Sequence, residues 1–312
     1  MGEHLIDWVN GGSIYSLNGE VKYGQRSYDY KFNSAIQSDD GTYAVIYEKL
    51  GTKALLLKHG EILRELNRSF YKASAYEYPI AFLKLPDGEY ALIHCPSEYC
   101  LIEIEYVESG IKITQMDRNP DDCFHSRFRV SPSNSMLLNT GWVWHPYDII
   151  ALYNIQDGIK DNLIFDRPKA HFPIHAEACS AEFLSDDLLV VSSNPDDPLS
   201  EEELSDTLNL YPGQIGLFSI TQHRFLKKVT IDFKPGTLIP INEDLILDLY
   251  EHPKLVDLNS GEIKQRFEDI NSGEQSSSII HHIPPVPPVA VSQDRKSIAF
   301  GQGEKIELLE FS

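Results

Sequence analysis

The chain has 312 residues, of which 42% are hydrophobic and 11% are aromatic. This composition supplies a sizeable core and excludes an intrinsically disordered chain. The formal net charge is -20 at pH 7. Such a charge disfavours binding to nucleic acids or anionic membranes and favours a basic protein partner.

The sequence contains no recognisable targeting or membrane-spanning segment. Its first residues have no basic region followed by a long apolar run, and no stretch approaches the roughly 18 apolar residues of a spanning helix. The cysteines are too few for a disulfide scaffold, so we expect reduced thiols. They are Cys95, Cys100, Cys123 and Cys179. We therefore expect a cytoplasmic, monomeric protein without membrane contact.

Six short polar turns, each between two apolar strands, recur along the chain. Asp, Ser, Asn, Pro and Gly dominate these turns, which is typical of β-hairpins. The turns begin 46 to 57 residues apart, at residues 38–41, 85–88, 131–134, 185–187, 242–244 and 292–294.

A second hairpin follows the first in most units. Residues 52–62 and 255–263 each read as a strand, a turn containing Gly-Glu and another strand. Each unit is therefore predicted to be a four-stranded antiparallel sheet. Units of this kind, repeated every 40 to 50 residues or so, are typical of β-propellers.

Both ends of the sequence match parts of the same unit. Residues 12–21 match the second half of a unit, and the last residues of the chain, through 306–311, match the first half. We predict a single all-β propeller domain over residues 1–312, with about seven four-stranded blades. The N- and C-terminal strands are predicted to close the ring, because closure protects sheet edges. Six blades is the alternative, if the N-terminal strands complete the C-terminal blade.

The turn and hairpin sequences resemble those of a known superfamily. Asp-Gly at residues 40–41 and 87–88, with Asp-Leu-Asn-Ser-Gly-Glu at residues 257–262, resembles the WD40-like propellers over nearly the whole chain. The Trp-Asp and Gly-His dipeptides of true WD40 repeats are absent from the blades. Residues 124–132 and 141–146 also resemble an uncharacterised group of divergent bacterial propellers. The resemblance implies the fold but no activity.

A candidate binding site is predicted on one face of the ring. The connections between second and third strands, and those between successive blades, are expected to emerge together there. Two neighbouring units place aromatic residues and a long acidic insertion, residues 194–213, in such connections. Exposed Trp and Tyr beside charges are typical of protein-binding hot spots. The predicted partner-binding residues are Trp142, Trp144, His145, Tyr147, Asp196, Asp197, Glu201, Glu202 and Glu203.

Two alternatives remain open for this site. Trp142 and Trp144 are either exposed for binding or packed beneath the insertion as core. His125 and Arg127, near the start of an inner strand, are predicted to bind an anion or a carboxylate of the partner. The alternative for this pair is structural, with the two side chains joining adjacent blades.

The sequence favours a binding protein over an enzyme. It has no Gly-x-Ser-x-Gly elbow, phosphate loop or His-Glu-x-x-His motif. The Cys and His spacings match no standard zinc site, so no metal or other cofactor is expected. We predict a non-catalytic protein-binding propeller, in concrete form an immunity-type protein that neutralises a cognate bacterial toxin. The alternative is a calcium-dependent lactonase- or hydrolase-like propeller, with Glu177 and Asn33 as candidate channel ligands.

Overall fold

β-strands account for nearly all regular structure in the computed structural model, which describes residues 4–115, 117–167, 172–197 and 209–311. They form seven antiparallel sheets that follow one another along the chain, sheets 1 to 7. Sheets 1 to 4 contain β1 (His4–Asp7), β2 (Ser13–Ser16) and β3 (Val21–Lys22); β4 (Ser34–Gln37), β5 (Tyr43–Tyr47), β6 (Lys53–Lys58) and β7 (Glu61–Asn67); β8 (Ile80–Lys84), β9 (Tyr90–His94) and β10 (Glu103–Tyr106); and β11 (Arg129–Val130), β12 (Met136–Val143) and β13 (Tyr147–Asn154). Sheets 5 to 7 contain β14 (Ala178–Phe183), β15 (Leu188–Ser193), β16 (Gln214–Ser219) and β17 (Arg224–Thr230); β18 (Leu238–Pro240), β19 (Leu245–Asp248), β20 (Lys254–Asp257) and β21 (Ile263–Arg266); and β22 (Val289–Val291), β23 (Ser297–Gln302) and β24 (Lys305–Glu310).

A short helical segment follows β13. It consists of α1 (Ile155–Lys160) and a 3₁₀ turn (Asn162–Ile164). Asn154 caps α1, because its side chain accepts a hydrogen bond from the backbone N–H of Asp157. Within the described ranges, no helix is long and apolar enough to cross a membrane.

The polar turns identified in the sequence join the first and second strands of the sheets. In sheet 2, the Ser38 hydroxyl donates to Asp40 over 2.7 Å and accepts from the backbone N–H of Tyr43 over 3.0 Å. Ser292 makes the same pair of hydrogen bonds, with Asp294 and Ser297, in sheet 7. The recurring Ser and Asp are therefore explained by local side-chain bonds that hold the hairpin closed.

The apolar core lies between neighbouring sheets. Between sheets 2 and 3, for example, Val45 and Leu56 pack with Ile80 and Leu92, and all four are buried. Comparable clusters lie between sheets 3 and 4, between sheets 4 and 5, and between sheets 5 and 6. Because neighbouring sheets cover both faces of a sheet, its second strand, such as β5, is a continuous apolar run without polar alternation.

The prediction of an all-β propeller with about seven blades is confirmed by these seven sheets of three or four antiparallel strands. The strands of sheet 1 pair with one another and form a sheet separate from sheet 7. Sheet 7 contacts sheet 2 through a hydrogen bond of 2.5 Å from Gln293 Nε2 to the carbonyl oxygen of Asp39. Ring closure by the N- and C-terminal strands within a single domain stays a prediction.

Candidate functional site

Several connections of two kinds contact one another around Phe124 and Trp142, and we call this side of the protein the loop face. They are the connections between second and third strands and those between successive sheets. Phe124 and Trp142 form an antiparallel backbone bridge there, with N···O distances of 2.9 and 3.1 Å. Their rings stack with centroids 3.8 Å apart and planes within 7° of parallel. This pair is the base of an aromatic cluster.

Further rings pack on the stacked pair from three connections. Tyr99 stacks on Phe124 with a centroid distance of 4.3 Å, and Tyr71 lies 5.0 Å from Tyr99. Trp144 meets both Phe124 and Trp142 edge-on at 5.3 Å. Offset-stacked and edge-to-face contacts are the favoured geometries of aromatic rings. The cluster is therefore a packed unit that holds its outer members in fixed positions.

The two tryptophans lie at different depths. Trp142 is 3% exposed, so its ring cannot touch a partner in this conformation, and it supports the cluster from below. Trp144 is 42% exposed at the tip of the turn between β12 and β13. The neighbouring His145 is exposed and has φ of 108°, a backbone conformation that few residues other than glycine adopt. The prediction of binding thus applies to Trp144 rather than to Trp142.

The connection between β7 and β8 supplies exposed rings that the sequence analysis missed. Phe70 and Tyr71 are 85% and 43% exposed, and Lys72 Nζ lies 5.6 Å from the centroid of the Trp144 ring. The exposed Tyr147 completes a set of four exposed rings from the connection between β7 and β8 and the hairpin of β12 and β13. We call it the aromatic patch, and it consists of Phe70, Tyr71, Trp144 and Tyr147. The repeat pattern does not identify Phe70 and Tyr71 as binding residues, because they lie in an irregular connection outside the repeated turns.

Acidic side chains lie beside the aromatic patch. The Tyr147 hydroxyl donates to Asp197 Oδ2 over 3.3 Å, and the same oxygen accepts from the backbone N–H of Glu177 over 2.6 Å. Asp196 is exposed beside it. On another side, Tyr99 donates to Asp122 over 2.8 Å. Glu201, Glu202 and Glu203 lie outside the described residues.

His125 and Arg127 are both buried, on the inner side of sheet 4. His125 Nε2 lies 3.1 Å from the carbonyl oxygen of Cys100, in the connection between β9 and β10. Arg127 donates to the carbonyl oxygen of Cys179, in β14, over 3.0 Å. Each side chain therefore joins sheet 4 to a neighbouring sheet, which matches the structural alternative. Binding of a partner's carboxylate by this pair would require both groups to become exposed.

The environment of His125 also decides its protonation. Burial lowers the pKa of His125 from 6.5 to about 4. The nearby thiol of Cys123, with Sγ 3.8 Å from His125 Nδ1, has its pKa raised to about 12, again by burial. Both groups are therefore neutral at pH 7, and the pair lacks the thiolate that nucleophilic cysteines need.

We expect the low pKa of His125 to make the fold sensitive to acid. Below pH 6.5 His125 becomes protonated in the unfolded chain, whereas in the folded chain it stays neutral until about pH 4. The folded state therefore loses stability as the pH falls through this window. Between pH 7 and pH 5 the wild type should lose about 2 kcal/mol of unfolding free energy relative to His125→Gln. Urea denaturation of both proteins at the two pH values measures this difference. Identical pH dependence would contradict it.

The connection between β21 and β22 crosses the loop face and reaches the aromatic cluster. Ser278 donates to the buried carboxylate of Asp148 through both its backbone N–H and its hydroxyl. Ile279 bridges to Tyr76 and packs with the cluster. Residues far apart in the sequence thus hold the cluster in place. Burial raises the pKa of Asp148, and the charge of Arg127 opposes this effect.

The residues considered for a calcium-dependent enzyme have other roles here. Glu177 accepts hydrogen bonds from the backbone N–H of Asp148 and from the side-chain amide of Asn194. The Asn33 side chain accepts from the backbone N–H of Lys49 over 2.7 Å. Among the residues that the structure describes, no group of three or more His, Cys, Asp or Glu side chains is placed to hold a metal ion.

Comparisons with known proteins establish the fold alone. No protein-family model and no curated protein matches the sequence. A chain of a solved mitotic checkpoint complex is similar, with a TM-score of 0.59 and 10% identity, covering 98% of this chain and 86% of that one. The computationally designed protein Ika8 is also similar, with a TM-score of 0.53 and 10% identity, covering 100% of this chain and 94% of that one. Both support a β-propeller fold. Membership of a divergent bacterial group stays a prediction.

Proposed function

We propose that this chain is a non-catalytic protein-binding propeller whose contact surface is the aromatic patch. The observation that carries the proposal is that the exposed rings of Tyr71 and Trp144 pack on a buried stack of Phe124 and Trp142. Interface hot spots are enriched in Trp and Tyr held in well-packed surroundings. A ring that is already fixed loses little further conformational freedom when a partner covers it.

The charges around the aromatic patch support a basic partner. Asp122, Asp196 and Asp197 lie beside the patch, and the whole chain carries a net charge of -20. Lys72 Nζ lies 5.6 Å from the centroid of the Trp144 ring, so one positive charge also borders the patch. An apolar centre with a charged rim is the usual anatomy of a protein interface. The rim would speed association with a basic protein at low salt.

A more specific form of the proposal is an immunity-type protein that binds and neutralises a cognate, basic bacterial toxin. The net charge of -20 and the packed aromatic cluster support this form. The similar chain in the mitotic checkpoint complex is itself part of a protein assembly, which agrees with a scaffold that binds proteins. The partners of that similar chain are specific to its complex, and we do not assign them to this protein.

Affinity capture from the native host tests the proposal. The wild-type chain, Trp144→Ala and Tyr23→Ala serve as baits, since Tyr23 is an exposed aromatic residue on sheet 1, outside the patch. We expect a stoichiometric, basic partner with the wild type and with Tyr23→Ala, and its loss with Trp144→Ala. Recovery of the same partner by all three baits, or of none by the wild type, would overturn the proposal.

A further inference from the structure

The third strand of sheet 7 is more exposed than the third strands of the four-stranded sheets. In sheets 2, 5 and 6 a fourth strand covers the third, and β16, for example, is almost entirely buried. In sheet 3, residues 111–114 take this position through a bridge between Glu105 and Lys112. By contrast, β24 is the outermost strand of its sheet, and its first three residues are all exposed.

The register shows which backbone groups of β24 point away from the sheet. Phe311 donates its N–H to the carbonyl oxygen of Lys296, so this pair is hydrogen-bonded. Hydrogen-bonded pairs alternate along antiparallel strands. With Ile298 opposite Leu309 and Phe300 opposite Glu307, the inward-bonded residues of β24 have odd numbers. The residues whose N–H and C=O groups point outward are Ile306, Leu308 and Glu310.

No described residue forms a backbone bridge with that outer edge. An exposed row of N–H and C=O groups is a template for pairing with another strand. Ile306, 42% exposed, adds apolar surface to the edge. Sheets 1 and 4 also have a third strand outermost, but β3 has only two residues and half of the residues of β13 are buried.

Side-chain charge indicates what kind of segment fits. Glu304, Glu307 and Glu310 are exposed along or next to β24, and Lys305 is the one positive charge among the described residues of this strand. Residues directly opposite each other in a sheet interact most strongly, and opposite charges stabilise the pair. The fitting strand therefore has apolar residues opposite Ile306 and Leu308 and basic residues opposite the glutamates.

We propose that the outer edge of β24 binds an extended, basic segment of a protein partner, which adds to sheet 7 as its fourth strand. Such β-augmentation takes affinity from main-chain hydrogen bonds and specificity from alternate side chains. This site lies on the rim of the ring and is separate from the aromatic patch, so it does not depend on the function proposed above.

A peptide with the sequence of β17, Arg224–Thr230, is a suitable probe. In this chain β17 is the fourth strand of sheet 5, and it carries Arg224, Lys227 and Lys228 with apolar residues between them. We expect the peptide to bind the full chain and to slow amide hydrogen exchange at outward-pointing residues. Those are Ile306, Leu308 and Glu310. Exchange at the inward-bonded Glu307 and Leu309 should change little.

The variant Ile306→Pro removes one outward N–H without touching a hydrogen bond between β23 and β24. We expect it to weaken peptide binding at least about tenfold, whereas Ile306→Thr, which keeps the N–H, should bind within about threefold of the wild type. A peptide N-methylated at alternate residues, tested on the unmodified chain, should fail to bind. This second measurement is independent of any effect of proline on folding.

Three outcomes would overturn the proposal. The first is the absence of binding at millimolar peptide. The second is equal binding by the wild type and Ile306→Pro, or by the N-methylated peptide. The third is a dimer of the chain that Ile306→Pro dissociates, because a second copy would then be the occupant. Titration calorimetry and analytical ultracentrifugation distinguish these outcomes.

Discussion

Replacing Trp142 by alanine is expected to lower the free energy of unfolding by about 3–5 kcal/mol. The ring is 3% exposed and stacks on Phe124 at 3.8 Å, so its loss leaves a cavity beneath the aromatic patch. The surrounding rings are held by separate connections, which limits how far they can move to fill it. Equilibrium denaturation in urea, with the slope compared between variants, measures this loss.

Trp144→Ala is the matched control for this prediction. It removes the same side chain two residues away, but 42% of that ring is already in contact with solvent. We expect its effect on the free energy of unfolding to stay within about 1 kcal/mol. Equal destabilisation by the two substitutions would contradict the difference in depth between the two rings.

Trp144→Ala, which should have the smaller effect on stability, should have a large effect on partner binding. Once the captured partner is purified, Trp144→Ala is expected to weaken its affinity by about 2 kcal/mol or more, roughly thirtyfold. The reason is that Trp144 stands at the exposed edge of the patch and is held by Phe124 and Trp142. Calorimetric titration at two salt concentrations measures both the affinity and the contribution of the acidic rim.

Tyr23→Ala is the control for this second prediction. Tyr23 is 75% exposed, and it lies just after β3 on sheet 1. Its removal should leave partner affinity within about twofold of the wild type. If Trp144→Ala and Tyr23→Ala weaken binding equally, the aromatic patch is not the contact surface.

How much of the site the sequence predicts depends on the kind of residue. The pairing of aromatic and acidic connections was predicted from their positions in neighbouring repeats, and Tyr147 indeed donates to Asp197. The sequence does not decide whether Trp142 and Trp144 are exposed or buried. The two residues are only two positions apart, and their pattern is compatible with the core and with the surface. Phe70 and Tyr71 were missed, since irregular connections carry no periodic signal.

The roles of buried polar residues are also difficult to predict from the sequence. His125 and Arg127 were placed near the inner end of a strand, which is correct. Their partners are carbonyl oxygens of Cys100 and Cys179, which belong to other sheets. The sequence alone cannot show that a distant backbone group accepts a hydrogen bond from a side chain, so it leaves both a ligand-binding and a structural role open for this pair.

The sequence by itself determined the repeat, the turns and the all-β class, because each hairpin depends on residues only a few positions apart. Local bonds such as that from Ser38 to Asp40 are encoded where they act. Only the tertiary structure decided which rings are exposed, which charges are buried and which outer strands are exposed. Those properties depend on contacts between sheets, as when Ser278 meets Asp148 across 130 residues of sequence. Packing between distant segments leaves no regular spacing in the chain, so the exposure of β24 follows only from the strand order and burial of sheet 7.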